Sequence, residues 1–156
     1  MLSVDIPDSG ALRLEHLVVD YNGTLAVDGE LIAGVADRLR DLSAKLSIHV
    51  VTGDTFGQAR AGLAGIPCTL SILAAAGQAR AKLDYVERLG VQSTVCVGNG
   101  RNDALMLEAC ALGIAVVQPE GAAGASVRAA SVVVPTVLDA LDLLRYPLRL
   151  VATLRG

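Results

Sequence analysis

Five short runs of β-branched and apolar residues punctuate the chain at intervals too long for hairpins, and that spacing limits its folding options more than any other feature. They are Leu17-Val18-Val19, Ile48-His49-Val50-Val51, Thr94-Val95-Cys96-Val97, Ile114-Ala115-Val116-Val117 and Val132-Val133-Val134. Each reads as a strand buried on both faces, and Leu70 to Leu73 reads as a further one. Between the first two runs, Leu31, Val35, Leu39, Leu42 and Leu46 recur at three- and four-residue spacing among Asp37, Arg38, Arg40 and Asp41, which predicts an amphipathic helix. The same logic predicts helices near 55–64, 77–89, 102–111, 121–129 and 136–145. Continuously apolar strands alternating with helices call for a parallel sheet covered on both sides. With right-handed crossovers, the expected architecture is a three-layer α/β/α, doubly wound, Rossmann-like domain.

With 156 residues, 53% of them hydrophobic, the chain has enough material for one domain (1–156) with a packed core and no metal or disulfide staples. No repeat, linker or low-complexity tract divides it, and the connections leave no room for a large inserted cap. A formal charge of −3 argues against nucleic acid as a partner. Cys68, Cys96 and Cys110 are odd in number, lack metal-ligand spacing and lie in apolar surroundings, as expected of reduced packing thiols in a cytoplasmic protein. Asp5 and Asp8 do not suit a signal peptide, and no apolar run reaches the length of a membrane span, so no membrane insertion is expected.

Ligands of doubly wound sheets bind at the carboxyl ends of the strands. Three of these strands run directly into polar turns: Val19 into Asp20-Tyr21-Asn22-Gly23-Thr24, Val51 into Thr52-Gly53-Asp54, and Val97 into Gly98-Asn99-Gly100-Arg101-Asn102-Asp103. A carboxylate, a hydroxyl followed by a glycine amide, and a second carboxylate can together hold a magnesium ion and a phosphate. Lys82, one of two lysines, precedes the last of these strands and can bring positive charge to the phosphate, whereas Lys45 sits on a polar helix face. Taken singly each turn has an ordinary explanation, since Asn-Gly pairs make turns and Asp54 or Thr55 can cap a helix. Their succession along one sheet edge is what points to a site.

That succession resembles the motifs of the haloacid dehalogenase superfamily. Asp20-Tyr21-Asn22-Gly23-Thr24 looks like its first motif, Thr52 its second, Lys82 its third and Gly98 to Asp103 its fourth. Within the superfamily the likeness is to the phosphorylation domain of P-type ATPases and to small capless phosphatases similar to it. The resemblance implies that Asp20 attacks phosphorus to form an aspartyl phosphate. It also implies that Thr52, Gly53, Gly23, Thr24 and Lys82 contact the phosphoryl group. Magnesium would be held by Asp20, the main-chain carbonyl of Asn22, Asn99 and Asp103. A small phosphorylated molecule is the implied partner.

Two positions depart from the pattern. Asn22 stands where phosphatases of the superfamily carry an aspartate that serves as general acid and base, and an amide cannot shuttle that proton. Asn99 replaces a commonly metal-binding aspartate. These departures leave two readings: a slow, magnesium-dependent phosphohydrolase favouring good leaving groups, or a weakly active phosphate- and metal-binding regulatory protein. Motif likeness alone allows a third, a module partnering a membrane ATPase. Arg101 could reach a substrate phosphate or simply be solvated, and His16 and His49 read as structural. The tail from Leu141 to Leu150 reads as a helix interrupted at Pro147, whose apolar stripe packs on the core or on a second copy of the chain.

Overall fold

The computed structural model describes residues 1–53 and 57–156. Asp54 and Thr55, the candidate helix caps, lie outside the described residues. The chain opens with β1 (Leu2–Ile6), β2 (Gly10–Leu14) and β3 (His16–Val19), then β4 (Ala26–Val27), β5 (Glu30–Leu31) and α1 (Val35–Ser43). It continues through β6 (Ser47–Thr52), α2 (Gln58–Gly62), β7 (Thr69–Ile72), α3 (Gln78–Leu89) and β8 (Thr94–Gly98). A 3-10 turn over Arg101–Asp103 leads into α4 (Ala104–Ala109), followed by β9 (Leu112–Val116), α5 (Gly124–Ala129), β10 (Val132–Val134), α6 (Val137–Arg145) and α7 (Pro147–Leu154).

Among the described residues, six strands form one parallel sheet in the order β10-β9-β8-β3-β6-β7. The first of these, β3, lies near the middle. The chain winds outward to β7 and then crosses back to β8, on the other flank of β3. The winding therefore reverses at β3 and β8, and the carboxyl ends of these two strands flank the crevice where such sheets bind ligands.

Strand alternation feeds two cores. Leu17, Val19, Ile48, Val50, Val95, Val97, Leu112, Ile114 and Val116 face the side covered by α1 and α6. Val18, Val51 and Cys96 face Val86 of α3 and Met106 and Leu107 of α4. Cys96 is fully buried and all three cysteines are free thiols. On the first side, α1 is also tied to α6 by Arg38, which grips Asp142 with two hydrogen bonds of 3.0 and 2.9 Å. His16 Nδ1 lies 3.3 Å from His49 Nε2, and His49 Nδ1 lies 2.9 Å from the Tyr85 hydroxyl, so this polar chain links β3 and β6 to α3.

Three elements depart from the sequence expectation. Leu31 is not in the first helix: it belongs to a small hairpin, β4–β5, whose turn places Asp28 and Gly29 at positive φ, and α1 begins at Val35. The segment from 102 onward starts as a 3-10 turn and becomes α-helical only at Ala104. An antiparallel hairpin, β1–β2, precedes the sheet. Its signal was present in the alternation of Leu2, Val4 and Ile6 with Ser3 and Asp5, followed by Pro7-Asp8-Ser9-Gly10. The buried face of β1 packs against α7, where Leu150 is fully buried, while Ser9 Oγ donates to the Leu154 carbonyl at 3.0 Å. The stripe of the tail thus covers the chain's own core.

Gly113 in β9 has no room for a side chain: a Cβ there would run into the main-chain carbonyl of Leu107, near the end of α4. Backbone cannot swing aside as a flexible side chain can. Gly113→Ala is therefore expected to destabilise the fold by about 1–3 kcal/mol. Urea unfolding measures this, and an unchanged midpoint would mean that α4 can lift from the sheet without cost.

Candidate active site

Each polar turn begins where a buried strand ends. Asp20 follows β3, and its own N–H donates to the Val97 carbonyl of β8 at 3.1 Å, so the residue is held by the neighbouring strand before the chain turns away. The turn doubles back tightly at Gly23, which has φ +76° and lies so close to Asn99 that a Cβ would come within 2.5 Å of its Nδ2. Both the backbone conformation and the contact require glycine there. Thr24 is fully buried. Its Oγ1 lies 3.3 Å from Asp20 Oδ2 and 3.2 Å from Asn99 Oδ1, with its single proton shared between them.

On the other side of Asp20 stands Lys82, fixed in register on α3 because Leu83 and Val86 turn the same helix into the sheet. The lysine is 1% exposed. Its Nζ donates to Asp20 Oδ1 at 2.8 Å, to Asp103 Oδ1 at 2.7 Å and to Asn102 Oδ1 at 3.4 Å, which uses all three of its protons. The second oxygen of Asp103 accepts the N–H groups of Asn99 (3.0 Å) and Gly100 (2.9 Å). Asp103 thereby shapes the turn after β8 as well as binding the lysine.

The charges do not balance. Two buried carboxylates share one ammonium, leaving an excess negative charge in a buried cluster. Burial first, and the charge of Asp103 second, push the pKa of Asp20 up from 3.8 to about 7, against the pull of Lys82. Burial also disfavours the Lys82 ammonium, but the charges of Asp20 and Asp103 and its bonds to both outweigh that and hold its pKa above the ordinary value. A divalent cation beside Asp20 would reverse the cost of ionising it. The donors available are carboxylate and carboxamide oxygens, the hard ligands that magnesium takes. The residues present therefore fit such an ion.

Among the described residues, a cleft of about 310 Å³ opens on this cluster, lined by Asp20, Asn22, Thr52, Gly53, Gln78, Asn99, Gly100 and Asn102. Thr52 is buried at the end of β6, and Gly53 follows it. The structure thus brings Asp20, Asn22, Gly23, Thr24, Thr52, Gly53, Lys82, Asn99 and Asp103 to one place. Arg101 does not join them: it is exposed and does not line the cleft. A larger hollow of about 700 Å³ lies by Glu15, Lys45 and Thr69, at the amino ends of the strands and away from the buried carboxylates.

Sequence reasoning missed several participants. Gln78, in the first turn of α3, accepts from Asn102 Nδ2 at 2.8 Å, joining the lysine-bearing helix to the turn after β8. The Gly121 carbonyl accepts from Asn99 Nδ2 at 3.0 Å. Ser126 donates a short hydrogen bond to the Gly100 carbonyl. Gln118, in the loop after β9, reaches back to the turn after β3. Gln78 shares a helix with Lys82 but belongs to no motif itself, the other three sit in segments that carry none, and only proximity reveals them.

Comparison with known proteins agrees with this fold. No protein-family profile matches the chain. An uncharacterized protein of Methanocaldococcus jannaschii is 40% identical over 79 residues, covering 48% of this chain and 85% of the archaeal protein. Among solved structures, the cobalt-bound deoxy-D-mannose-octulosonate 8-phosphate phosphatase of Haemophilus influenzae superposes with a TM-score of 0.71 at 17% identity, over 86% of this chain and 88% of that one. The corresponding phosphatase of Moraxella catarrhalis, in complex with magnesium, phosphate and KDO, gives 0.70 at 13% identity, over 85% and 86%. A zinc-transporting PIB-type ATPase gives 0.64 at 22% identity, over 78% of this chain and 20% of the ATPase chain.

The charge imbalance has a measurable consequence in metal-free protein. Because the folded pKa of Asp20 lies above its unfolded value of 3.8, the folded chain keeps a proton that the unfolded chain releases, and this group's contribution to stability falls as pH rises from about 4 toward 7. Asp20→Asn removes the titrating charge and keeps an oxygen for Lys82. In EDTA the variant is expected to melt above the natural protein at pH 8 and to lose most of that advantage at pH 5, as read by calorimetry. An advantage independent of pH would contradict the buried-charge account. From fold and relatives together, the chain belongs to the same family as the Methanocaldococcus jannaschii protein and carries the haloacid dehalogenase-type fold without a large cap.

Proposed function

We propose that the protein is a magnesium-dependent phosphohydrolase in which Asp20 takes up the phosphoryl group of a small phosphorylated molecule, and that it turns over slowly. The observation that carries this reading is the convergence of Asp20, Lys82 and Asp103 beneath a cleft that Thr52 and Gly53 line. Structural neighbours that are phosphatases, one of them holding magnesium and phosphate together, support it.

In this reading an Asp20 carboxylate oxygen bonds to phosphorus as the bond to the leaving oxygen breaks, and water later cleaves the aspartyl phosphate to release inorganic phosphate. A carboxylate approaching a phosphate dianion is repelled unless positive charge stands beside it, and Lys82 supplies part of that charge. Bound magnesium would add the remainder, held by Asp20, Asp103, Asn99 and the Asn22 carbonyl. Thr52 and the Gly53 amide hold phosphoryl oxygens. Lys82 is committed to two carboxylates through short bonds, so it serves as a fixed charge and not as a proton donor.

Slowness follows from Asn22. It lines the cleft where a general acid and base would be needed, and the four carboxamides there, Asn22, Gln78, Asn99 and Asn102, titrate nothing at neutral pH. General acid-base catalysis contributes about 10²- to 10⁴-fold, so both departure of a poor leaving group and attack of water on the aspartyl phosphate are expected to suffer. Activated substrates such as acyl phosphates fit best. The same carboxamides favour a second reading, in which the pocket binds phosphate and metal for a regulatory purpose and has little turnover.

Phosphate release from acetyl phosphate and p-nitrophenyl phosphate, with and without magnesium, separates the two. Magnesium-dependent release that Asp20→Ala abolishes, with acid-stable label retained by the natural protein from labelled acetyl phosphate, supports the phosphoenzyme. Asn22→Asp is expected to raise turnover by about tenfold or more. Release by Asp20→Ala equal to that of the natural protein would remove Asp20 as nucleophile, and no release from either compound would favour the regulatory reading.

A further inference from the structure

The loop after β9 holds a residue whose geometry the reaction chemistry does not account for. Gln118 adopts φ +53°, a left-handed conformation that a non-glycine side chain takes up only at a free-energy cost and that surrounding contacts must enforce. Those contacts are visible. Its N–H donates to the Pro135 carbonyl at 2.9 Å, and its carbonyl accepts from Gly121 N–H at 3.1 Å. The conformation directs the side chain toward the turn after β3. There Nε2 donates one proton to the Gly23 carbonyl and the other to the Thr24 carbonyl, both at 2.8 Å, while Oε1 accepts from Val137 N–H at 2.9 Å, at the start of α6.

We propose that Gln118 is a positioning residue that clamps the Gly23–Thr24 turn so that Thr24 and Asp20 meet the cleft in register. The inference rests on the reading of Asp20 as the reacting group. Two carbonyls of consecutive residues are drawn to one amide, which restrains the two peptide planes on either side of the Thr24 Cα. Thr24 Oγ1, carried on that Cα, then lies between Asp20 Oδ2 and Asn99 Oδ1. A few residues on, the same loop fixes the opposing turn: the Gly121 carbonyl accepts from Asn99 Nδ2 at 3.0 Å, and Ala123 N–H donates to the Asn99 carbonyl at 2.8 Å. With Nδ2 engaged there, Asn99 Oδ1 is the atom that faces Thr24. One stretch, 118–123, thus holds the turns that present Asp20 and Asn99, and Gln118 is its side-chain anchor.

The test uses two variants that remove different parts of the contact. Gln118→Glu keeps an oxygen for Val137 N–H but sets a carboxylate oxygen against the two carbonyls. Gln118→Met removes all three bonds at similar volume. For both, magnesium-dependent hydrolysis of p-nitrophenyl phosphate is expected to lose about 10- to 100-fold in kcat, since small misplacements of reacting groups are costly. KM should stay within about twofold, because Thr52 and Gly53 are untouched. Melting temperatures are expected to fall by several degrees with the lost bonds, so kcat is read well below the transition of each variant. Independently of turnover, hydrogen exchange of the peptide spanning Asp20 to Ala26 should quicken while the rest of the sheet is unchanged. Natural kcat and natural protection in Gln118→Glu, with loss only in Gln118→Met, would mean that the residue serves the start of α6, and would overturn the clamp. Faster exchange at 20–26 in a protein whose natural form releases no phosphate would leave the clamp standing and defeat the hydrolase reading instead.

Discussion

Lys82 reaches two carboxylates delivered by two adjacent strands, and the arrangement of the surrounding structure follows from keeping those three charges together. Asp20 stands at the end of β3 and Asp103 in the turn beyond β8, and both are buried. Away from water neither could stay ionised beside the other without a cation, and the lysine must arrive on a helix already committed to the sheet. Leu83 and Val86 make that commitment for α3, so hydrophobic packing sets the position of the ammonium. One ammonium still leaves two carboxylates undercompensated, as the raised pKa of Asp20 records. A purely structural core would be better served by apolar residues, which is why a buried charged cluster of this kind points to a candidate functional site.

Around this charged centre the chain uses neutral amides. Asn22, Asn99, Asn102, Gln78 and Gln118 each touch a turn of the site or line its cleft. Carboxamides can join donors to acceptors without adding charge, so they fix geometry while leaving the field of the cleft to Asp20, Asp103 and Lys82. The same neutrality has a chemical cost. Groups that carry no titratable proton near neutral pH cannot relay one, so in the proposed reaction the features that hold the pocket in shape would also limit what it does to a leaving group or to water.

The hairpins show how local and distant forces divide the work. β1–β2 and α7, at opposite ends of the chain, pack together, and Leu150 of the tail is buried within the molecule. The β4–β5 hairpin directly follows the Asp20 turn, and Tyr21 ties the two through its hydroxyl, which donates to the Gly29 carbonyl at 3.2 Å. The leucine periodicity that extended the first helix back to Leu31 was misleading because a left-handed pair, Asp28-Gly29, reverses the chain just before it. Turn chemistry there overrides a repeat that Val35, Leu39 and Leu42 obey within α1.

What the sequence determined by itself was the layering and the edge of the sheet where the candidate site lies. Buried parallel strands must be continuously apolar, helices must show their stripe, and the polar residues at the strand ends then have one shared edge to occupy. Asp20, Thr52, Lys82 and Asp103 were legible as candidates on those grounds, because each stands at a strand end, in the polar turn that follows one, or on a striped helix. The tertiary structure alone decided which side chains orient them. Gln78, Gln118, Gly121 and Ser126 are polar or small residues that the apolar stripe does not single out, and their bonds to the site span as many as 95 residues of sequence. It also leaves Arg101 exposed and outside the lining of the cleft, since a place beside a motif says nothing about the direction in which a short 3-10 turn points a side chain. Spacing along a chain encodes contacts within an element; contacts between loops depend on how the layers stack.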